Sequence, residues 1–303
     1  MIVRWGLEEL PGVLEDVGSE RPLLVASERW DRLAIPAEHR WTEIPSDRIA
    51  VPPDADGILA VGGGSAIDTA KAASAASSLP LVSVPTTYSG AEWTPFFGIR
   101  TPDRRQVGGG SGARLAGIVY EPELTLDLPQ DQSAGTALNA LAHCVEALYP
   151  GELDVARRGA ATIDEWLPRV LEDGQDLEAR TRLLEGASDA GQALARHGLY
   201  LGHAMAQAVG GRYGIPHGAA NALCLPPAMR FNAPVAPWAM SAVAIERVVE
   251  LARLAGFRRL RDLGVPGDEL DEVAAAAALR PGAQANPRPA SAAEIAELYR
   301  SVW

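Results

Sequence analysis

Residues Ile58-Leu59-Ala60-Val61-Gly62-Gly63-Gly64-Ser65-Ala66-Ile67-Asp68 carry the most information about the fold. Four aliphatic residues without polar alternation read as a strand buried on both faces. Three glycines then open into Ser65 to Ser78, an alanine-rich stretch that predicts a helix. A strand that turns through bare backbone into a helix aims free N–H groups and the positive end of the helix dipole at one place, which suits a phosphate or diphosphate. Ser65 and Asp68 also have the spacing of a helix N-cap and its N3 acid, a purely structural alternative for that pair.

Working outward, Leu23-Leu24-Val25-Ala26, Leu81-Val82-Ser83-Val84 and Ile118-Val119-Tyr120 are further short aliphatic runs bounded by turn residues. A strand, helix, strand order builds a parallel sheet. Pro85-Thr86-Thr87-Tyr88-Ser89-Gly90-Ala91-Glu92 follows the third run, and ligands of such sheets sit beyond the carboxyl ends of the strands. The hydroxyls of Thr86, Thr87 and Ser89 can donate there to phosphate or ribose oxygens, or merely satisfy their own turn. From about Asp131 onward the strand signal stops. Leu138, Leu141, Val145 and Leu148 share one helical stripe, and residues 160–171 and 181–209 look similar. The expected fold is an α/β N-terminal dinucleotide-binding domain with a parallel sheet over 1–129, then an all-α domain over 130–303. Thr101 to Arg114, with Gly108-Gly109-Gly110, reads as a loop over a site, and Pro281 to Pro289 as linker-like. Ala274 to Ala278 reads as ordinary helix.

Composition narrows the function. The 303 residues are 47% hydrophobic and 22% charged, as in soluble globular proteins. The formal charge of −12 repels nucleic acid and anionic membranes, so neither is an expected partner. No run of apolar residues is long enough to span a bilayer. Cys144 and Cys224 lie in apolar stretches and read as reduced, buried thiols of a cytoplasmic protein.

The helical half holds the remaining chemistry. Asn139 and His143 are four apart, as are His203 and Gln207, and His217 follows in Gly214-Ile215-Pro216-His217-Gly218. Residues four apart share a helical face. A lone histidine in such a setting is usually a bonded core residue, whereas three suggest one site, for a divalent metal or for proton transfer. Asn139 is neutral and a poorer ligand than a carboxylate, which argues against a metal. His39 and His197 read as surface or structural.

Taken together, Gly62-Gly63-Gly64-Ser65, Pro85 to Pro95, Tyr120 to Leu126 and Leu138 to Tyr149 resemble the iron-containing alcohol dehydrogenase family, specifically its maleylacetate reductase branch. Gly210-Gly211 through Pro216-His217, Asn232-Ala233-Pro234 and Asn286-Pro287-Arg288-Pro289 extend the resemblance over nearly the whole chain. It implies dehydroquinate synthase-like architecture, NAD or NADP as cofactor, a cleft between the domains and commonly a homodimer. By the same resemblance Gly63, Gly64 and Ser65 hold the diphosphate, Asp68 lies close to it, and Thr86, Thr87 and Ser89 line the nicotinamide side. In metal-dependent relatives an Asp and three His bind the ion, and Asn139, His143, His203 and His217 match those places. The reductase branch is generally regarded as needing no metal; were one bound, His143, His203 and His217 would be its ligands. His143, His203, His217, Asn139 and Gln207 are the expected catalytic set.

Three departures bear on this expectation. Gln207 stands where the family usually has a histidine that assists proton transfer. Arg104-Arg105-Gln106-Val107 replaces a stretch that often carries a lysine near the nicotinamide. Residues 44–56 are too short and proline-broken for the usual helix before the triple glycine. Glu28 is a candidate for the ribose hydroxyls, which would favour NAD. Arg114 and Arg212 are candidate clamps for a carboxylate, each otherwise a plain surface arginine. The expected function is NAD(P)-dependent hydride transfer to a small, anionic oxo or enone acid. The alternatives are a non-redox lyase, isomerase or cyclase on the same scaffold, and a silent ligand-binding subunit.

Overall fold

The computed structural model describes residues 1–35, 37–103 and 106–303, with the side chain of Gln106 left aside. Arg104 and Arg105, named above, lie outside the described residues. The chain divides into two compact units, Met1–Thr87 with Ala91–Asp127, and Tyr88–Gly90 with Leu128–Trp303.

The first unit contains β1 (Ile2–Trp5), α1 (Leu10–Asp16), β2 (Pro22–Ala26), β3 (His39–Trp41), β4 (Gly57–Gly62), α2 (Gly64–Ser77), β5 (Pro80–Pro85), β6 (Phe97–Arg100), β7 (Gln106–Gly110) and β8 (Arg114–Tyr120). Six strands form one sheet in the order β1-β8-β5-β4-β2-β3, and every neighbouring pair is parallel. The four strands expected from aliphatic runs are all present. Along β4 the side chains alternate faces: Ile58 and Ala60 join Ile67 and Ala70 of α2 in one core, while Leu59 and Val61 join Leu10 and Val13 of α1 in the other. Each such aliphatic side chain contributes about 1.5–3 kcal/mol by leaving water, which is why the strand needs no polar face. Residues 44–56 hold no helix and reach β4 through turns and extended chain.

Several elements differ from expectation. β1 and β3 are sheet edges, too short and too mixed in polarity to announce themselves. Thr101 to Arg114 is not simply a loop, because β7 within it pairs antiparallel with β6. The glycines of β7 allow this: at Gly110 a Cβ would meet the Phe97 ring at 2.8 Å.

The second unit is helical: α3 (Gln130–Ala147), α4 (Asp154–Glu172), α5 (Leu177–His197), α6 (Leu201–Tyr213), α7 (His217–Asn232), α8 (Pro237–Met240), α9 (Ile245–Leu254), α10 (Leu270–Ala278), α11 (Pro281–Gln284) and α12 (Ala292–Arg300). The expected segment 181–209 is two helices, broken at Gly198, where φ is 76°. Pro281 to Pro289 is not a linker. It carries α11 and the buried Asn286, whose amide exchanges two hydrogen bonds with Asn232 at 3.0 and 2.7 Å. Helix α3 is the centre, packed against α4, α5 and α7 and buried almost all round rather than along one stripe. Cys144 and Cys224 are free and buried.

Where α3 meets α7, Gly135 and Gly218 touch backbone to backbone. A Cβ on Gly218 would overlap the Gly135 carbonyl, which no rotamer change can relieve. This contact sets how closely His217, the residue before it, approaches Asn139, one turn along α3. Gly218→Ala is expected to lower stability by about 1–3 kcal/mol, read as a fall in denaturant midpoint without a change in slope.

Candidate active site

In the first unit, Gly63 rather than Ser65 is the N-cap of α2 and carries no side-chain cap. The N-cap and N3 spacing of Ser65 and Asp68 is therefore not used for capping. Ala66 and Ile67 N–H turn back to the Gly63 carbonyl at 2.9 and 3.1 Å. The N–H groups of Gly64 and Ser65 make no hydrogen bond among the described residues. The adjoining loop is tied to this turn by Thr86 N–H donating to the Gly62 carbonyl at 3.1 Å. At Gly63 a Cβ would come within 2.7 Å of the Thr87 methyl, so only glycine admits the threonine there. Bare N–H groups at a helix start are what a diphosphate requires. The residues fit the nucleotide expected from the sequence.

Asp68 does other work. Its Oδ2 accepts from Gly98 N–H at 3.2 Å, with Arg100 at 3.8 Å, and its Oδ1 lies 3.8 Å from Lys71 Nζ, so it anchors β6 on α2. Lys71 is the only lysine of the chain. It is 1% exposed and donates to the Phe96 carbonyl at 2.9 Å. Nearby, Glu92 is 2% exposed and accepts from the Tyr120 hydroxyl at 2.7 Å, which in turn accepts from Trp93 Nε1–H at 2.8 Å. Burial pushes the carboxyls of Asp68 and Glu92 up and the Lys71 amine down, against their mutual attraction.

Ser89 belongs to the second unit. Its carbonyl, not its hydroxyl, makes the contact of interest, accepting from Asn139 Nδ2–H at 3.2 Å. That bond fixes the orientation of the Asn139 amide, and its Oδ1 then receives Asn221 Nδ2–H at 2.8 Å and faces His203 Nε2 at 3.3 Å. His203 Nδ1 lies 2.8 Å from Glu146 Oε2. Both ring nitrogens of His203 thus face oxygens, an arrangement suited to a ring that donates on either side. Asn221 Nδ2 also lies 3.0 Å from His217 Nε2, which places the proton of a neutral His217 on Nδ1. His143 stacks on His203 with ring centroids 4.8 Å apart, and His217 is tilted to His203 at 5.7 Å.

The structure therefore brings together Asn139, His143, His203 and His217. It does not bring in Gln207, whose side-chain oxygen and carbonyl accept from Arg280 Nη1 and Nη2 at 3.3 and 3.2 Å. Arg212 pairs with Glu269 and Glu272 at the surface, and Arg114 donates to the Ser78 carbonyl, so both are surface arginines. Glu28 opens a 3-10 turn directly after β2. Glu146 and Asn221 belong to this cluster and were passed over by the sequence reading, as was Arg280, which is bonded to Gln207. Glu146 had a signal: it is a carboxylate in the apolar second half of its helix, three residues after His143.

The comparisons with known proteins follow the same lines. The family described as iron-containing alcohol dehydrogenase matches residues 48–119, and the C-terminal part of that family matches residues 133–303. The chain belongs to the iron-containing alcohol dehydrogenase family and is an oxidoreductase of it. Within that class it is 34% identical over 263 residues to a maleylacetate reductase of Pseudomonas sp. (strain P51), covering 82% of this chain and 74% of that protein. Among solved structures it is similar to a maleylacetate reductase from Agrobacterium tumefaciens, with a TM-score of 0.86 and 25% identity over 100% of this chain and 95% of that one. A structure described as a putative alcohol dehydrogenase from Ralstonia eutropha JMP134 gives a TM-score of 0.88 and 28% identity over 100% and 95%.

Burial of His143, reinforced by His203 and His217, pushes its imidazole well below the ordinary value of 6.5. A depressed folded value means that the unfolded chain takes up this proton first as pH falls. The ring therefore costs no stability above its unfolded value of 6.5 and removes stability below it. The unfolding free energy is expected to fall below that pH by up to about 1.4 kcal/mol per pH unit from this group. In denaturant titrations across that range His143→Gln should show a shallower fall.

Proposed function

We propose that the chain reduces a small acid bearing an oxo or enone group, of the maleylacetate kind, with NADH or NADPH and without a divalent metal. Gly64 and Ser65 N–H would hold the diphosphate, with Gly63 keeping its approach open and Thr86 and Thr87 beside it. When bound, the nicotinamide supplies the hydride. The observation that carries the reading is His203, fully buried, held on Nδ1 by Glu146 and facing Asn139 on Nε2. This ring gives the proton that accompanies hydride addition. Glu146 is a positioning residue, since it touches His203 and not the substrate. His143, kept neutral by burial, and His217, oriented by Asn221, bind and orient the acid.

The donor set does not fit a chelated divalent ion. Asn139 carries no charge, its oxygen already accepts from Asn221, and the Glu146 carboxylate is spent on His203 and on two backbone N–H groups. Among the described residues the group of three ligating side chains within 4.8 Å of one another is Glu38, His39 and Asp54 in the first unit, not the three histidines.

An anionic substrate is supported by Arg280. It is half-buried and bonded to Gln207 one turn beyond His203, its Nε has no partner, and it makes no ion pair among the described residues. A guanidinium drawn from water without a carboxylate suits a substrate carboxylate. The relatives named above are reductases and a dehydrogenase, which favours hydride transfer over a lyase, isomerase or cyclase reaction. No described helix is long and apolar enough to cross a membrane. Two free, buried thiols favour a reducing compartment such as the cytoplasm, and a homodimer rests on the resemblance alone.

The test is oxidation of NADH and of NADPH in the presence of maleylacetate. Turnover with either supports the proposal; no oxidation and no binding of either cofactor overturns it. Glu146→Gln is expected to lower kcat by about a hundredfold or more and to shift the pH profile, with little change in cofactor affinity. Arg280→Leu should raise KM for the acid by about tenfold to a hundredfold, with Arg280→Lys restoring part of it.

A further inference from the structure

The helical unit has a concentration of positive charge that the reaction does not use. A cavity of about 400 Å³ is lined by Arg230 of α7, Arg253 of α9, Arg258 and Arg259 of the following loop, and Arg300 of α12. Arg300 is neutralised by Asp271 and Glu297. The other four are exposed and make no ion pair or side-chain hydrogen bond among the described residues. This occurs in a chain of formal charge −12, where arginines elsewhere are commonly paired, as Arg158 with Asp189 and Arg247 with Asp164.

Arginines that end helices are favourable to the helix dipole, which accounts for Arg230, Arg253 and Arg300. It does not account for Arg258 and Arg259. They lie outside any α-helix, and Arg259 caps the start of the 3-10 turn Leu260–Leu263, where a cation meets the positive end. Part of the wall is apolar and held in place. Trp303 donates Nε1–H to the Val265 carbonyl at 2.8 Å and carries Arg261 over its ring at 5.5 Å, and Phe257 packs on the core beside it. Leu223, Pro226 and Arg230 line the cavity from α7, and at 100° per residue they fall on the face opposite His217 and Asn221. The cavity is therefore separate from the histidine cluster.

We propose that this cavity is a binding site for a small organic polyanion, a compact body with two or more carboxylate or phosphate groups. Guanidinium forks take both groups in the same geometry, and the apolar wall takes the body. The inference is independent of the reaction assigned above.

Calorimetric titration of the full chain at fixed ionic strength, with citrate and with pyrophosphate as probes, tests it. Binding of citrate alone marks a carboxylate ligand, binding of pyrophosphate alone a phosphate ligand, and either supports the site. Affinity should fall by about tenfold or more in an R253E/R258E variant and equally in R258Q/R259Q. It should be unchanged in R196E, which alters an exposed, unpaired arginine on α5. Circular dichroism confirms that each variant is folded. No heat with either probe, or wild-type affinity in both pocket variants, overturns the proposal; the latter outcome would place the anion elsewhere, at the glycine turn or in the proposed substrate site.

Discussion

The carboxylate of Glu146 has no exposed surface, yet it lies in the middle of the helical unit. A buried charge costs several kcal/mol unless its oxygens are fully engaged. Here they receive Tyr200 N–H at 2.8 Å, His203 N–H at 3.2 Å and the His203 ring at 2.8 Å. The first two are backbone donors at the beginning of α6, where helices leave N–H groups unpaired. One side chain of α3 therefore caps α6, sets its position and orients the imidazole on its first turn. Asn139 and Asn221 continue the same chain of bonds to α7. The spacing of His203 and His217 around Asn139 follows from these links, because moving any helix would leave a charge or an amide unsatisfied in an apolar surrounding.

This polar core was only partly legible in the sequence. Asn139, His143, His203 and His217 were visible because polar residues stand out against aliphatic runs at helical spacing, and the glycine turn because only a close backbone approach asks for Gly62-Gly63-Gly64. Glu146 shares a helical face with His143, three residues before it, but a carboxylate is ordinarily solvated, and only the packing of α3 against its neighbours shows that this one has no solvent face. Asn221 and Arg280 bond to Asn139 and Gln207, 82 and 73 residues away, and no local pattern encodes such pairing, although Asn221 also meets His217 one turn before it. Gln207, by contrast, drew attention by its place four residues after His203, although its bonds go to Arg280.

The sheet shows the same division. Central strands β2, β4, β5 and β8 were evident, since burial on both faces leaves uninterrupted aliphatic runs. Edge strands β1 and β3 and the hairpin of β6 and β7 were not, because their sequences meet solvent on one side and depend on pairing for their shape. The hairpin is held from α2 by Asp68, which accepts from Gly98 N–H at 3.2 Å, and by Lys71, which donates to the Phe96 carbonyl just before β6 at 2.9 Å, bonds that reach 30 and 25 residues along the chain.

Lys71 has a practical corollary. As the sole lysine, folded into the first unit with its amine bonded to the Phe96 carbonyl, it is shielded from any reagent or modifying enzyme that seeks a side-chain amine. Acylation at that position becomes possible only when α2 and the hairpin separate. Its rate would report the opening of the nucleotide unit alone, from a native residue and without an introduced label.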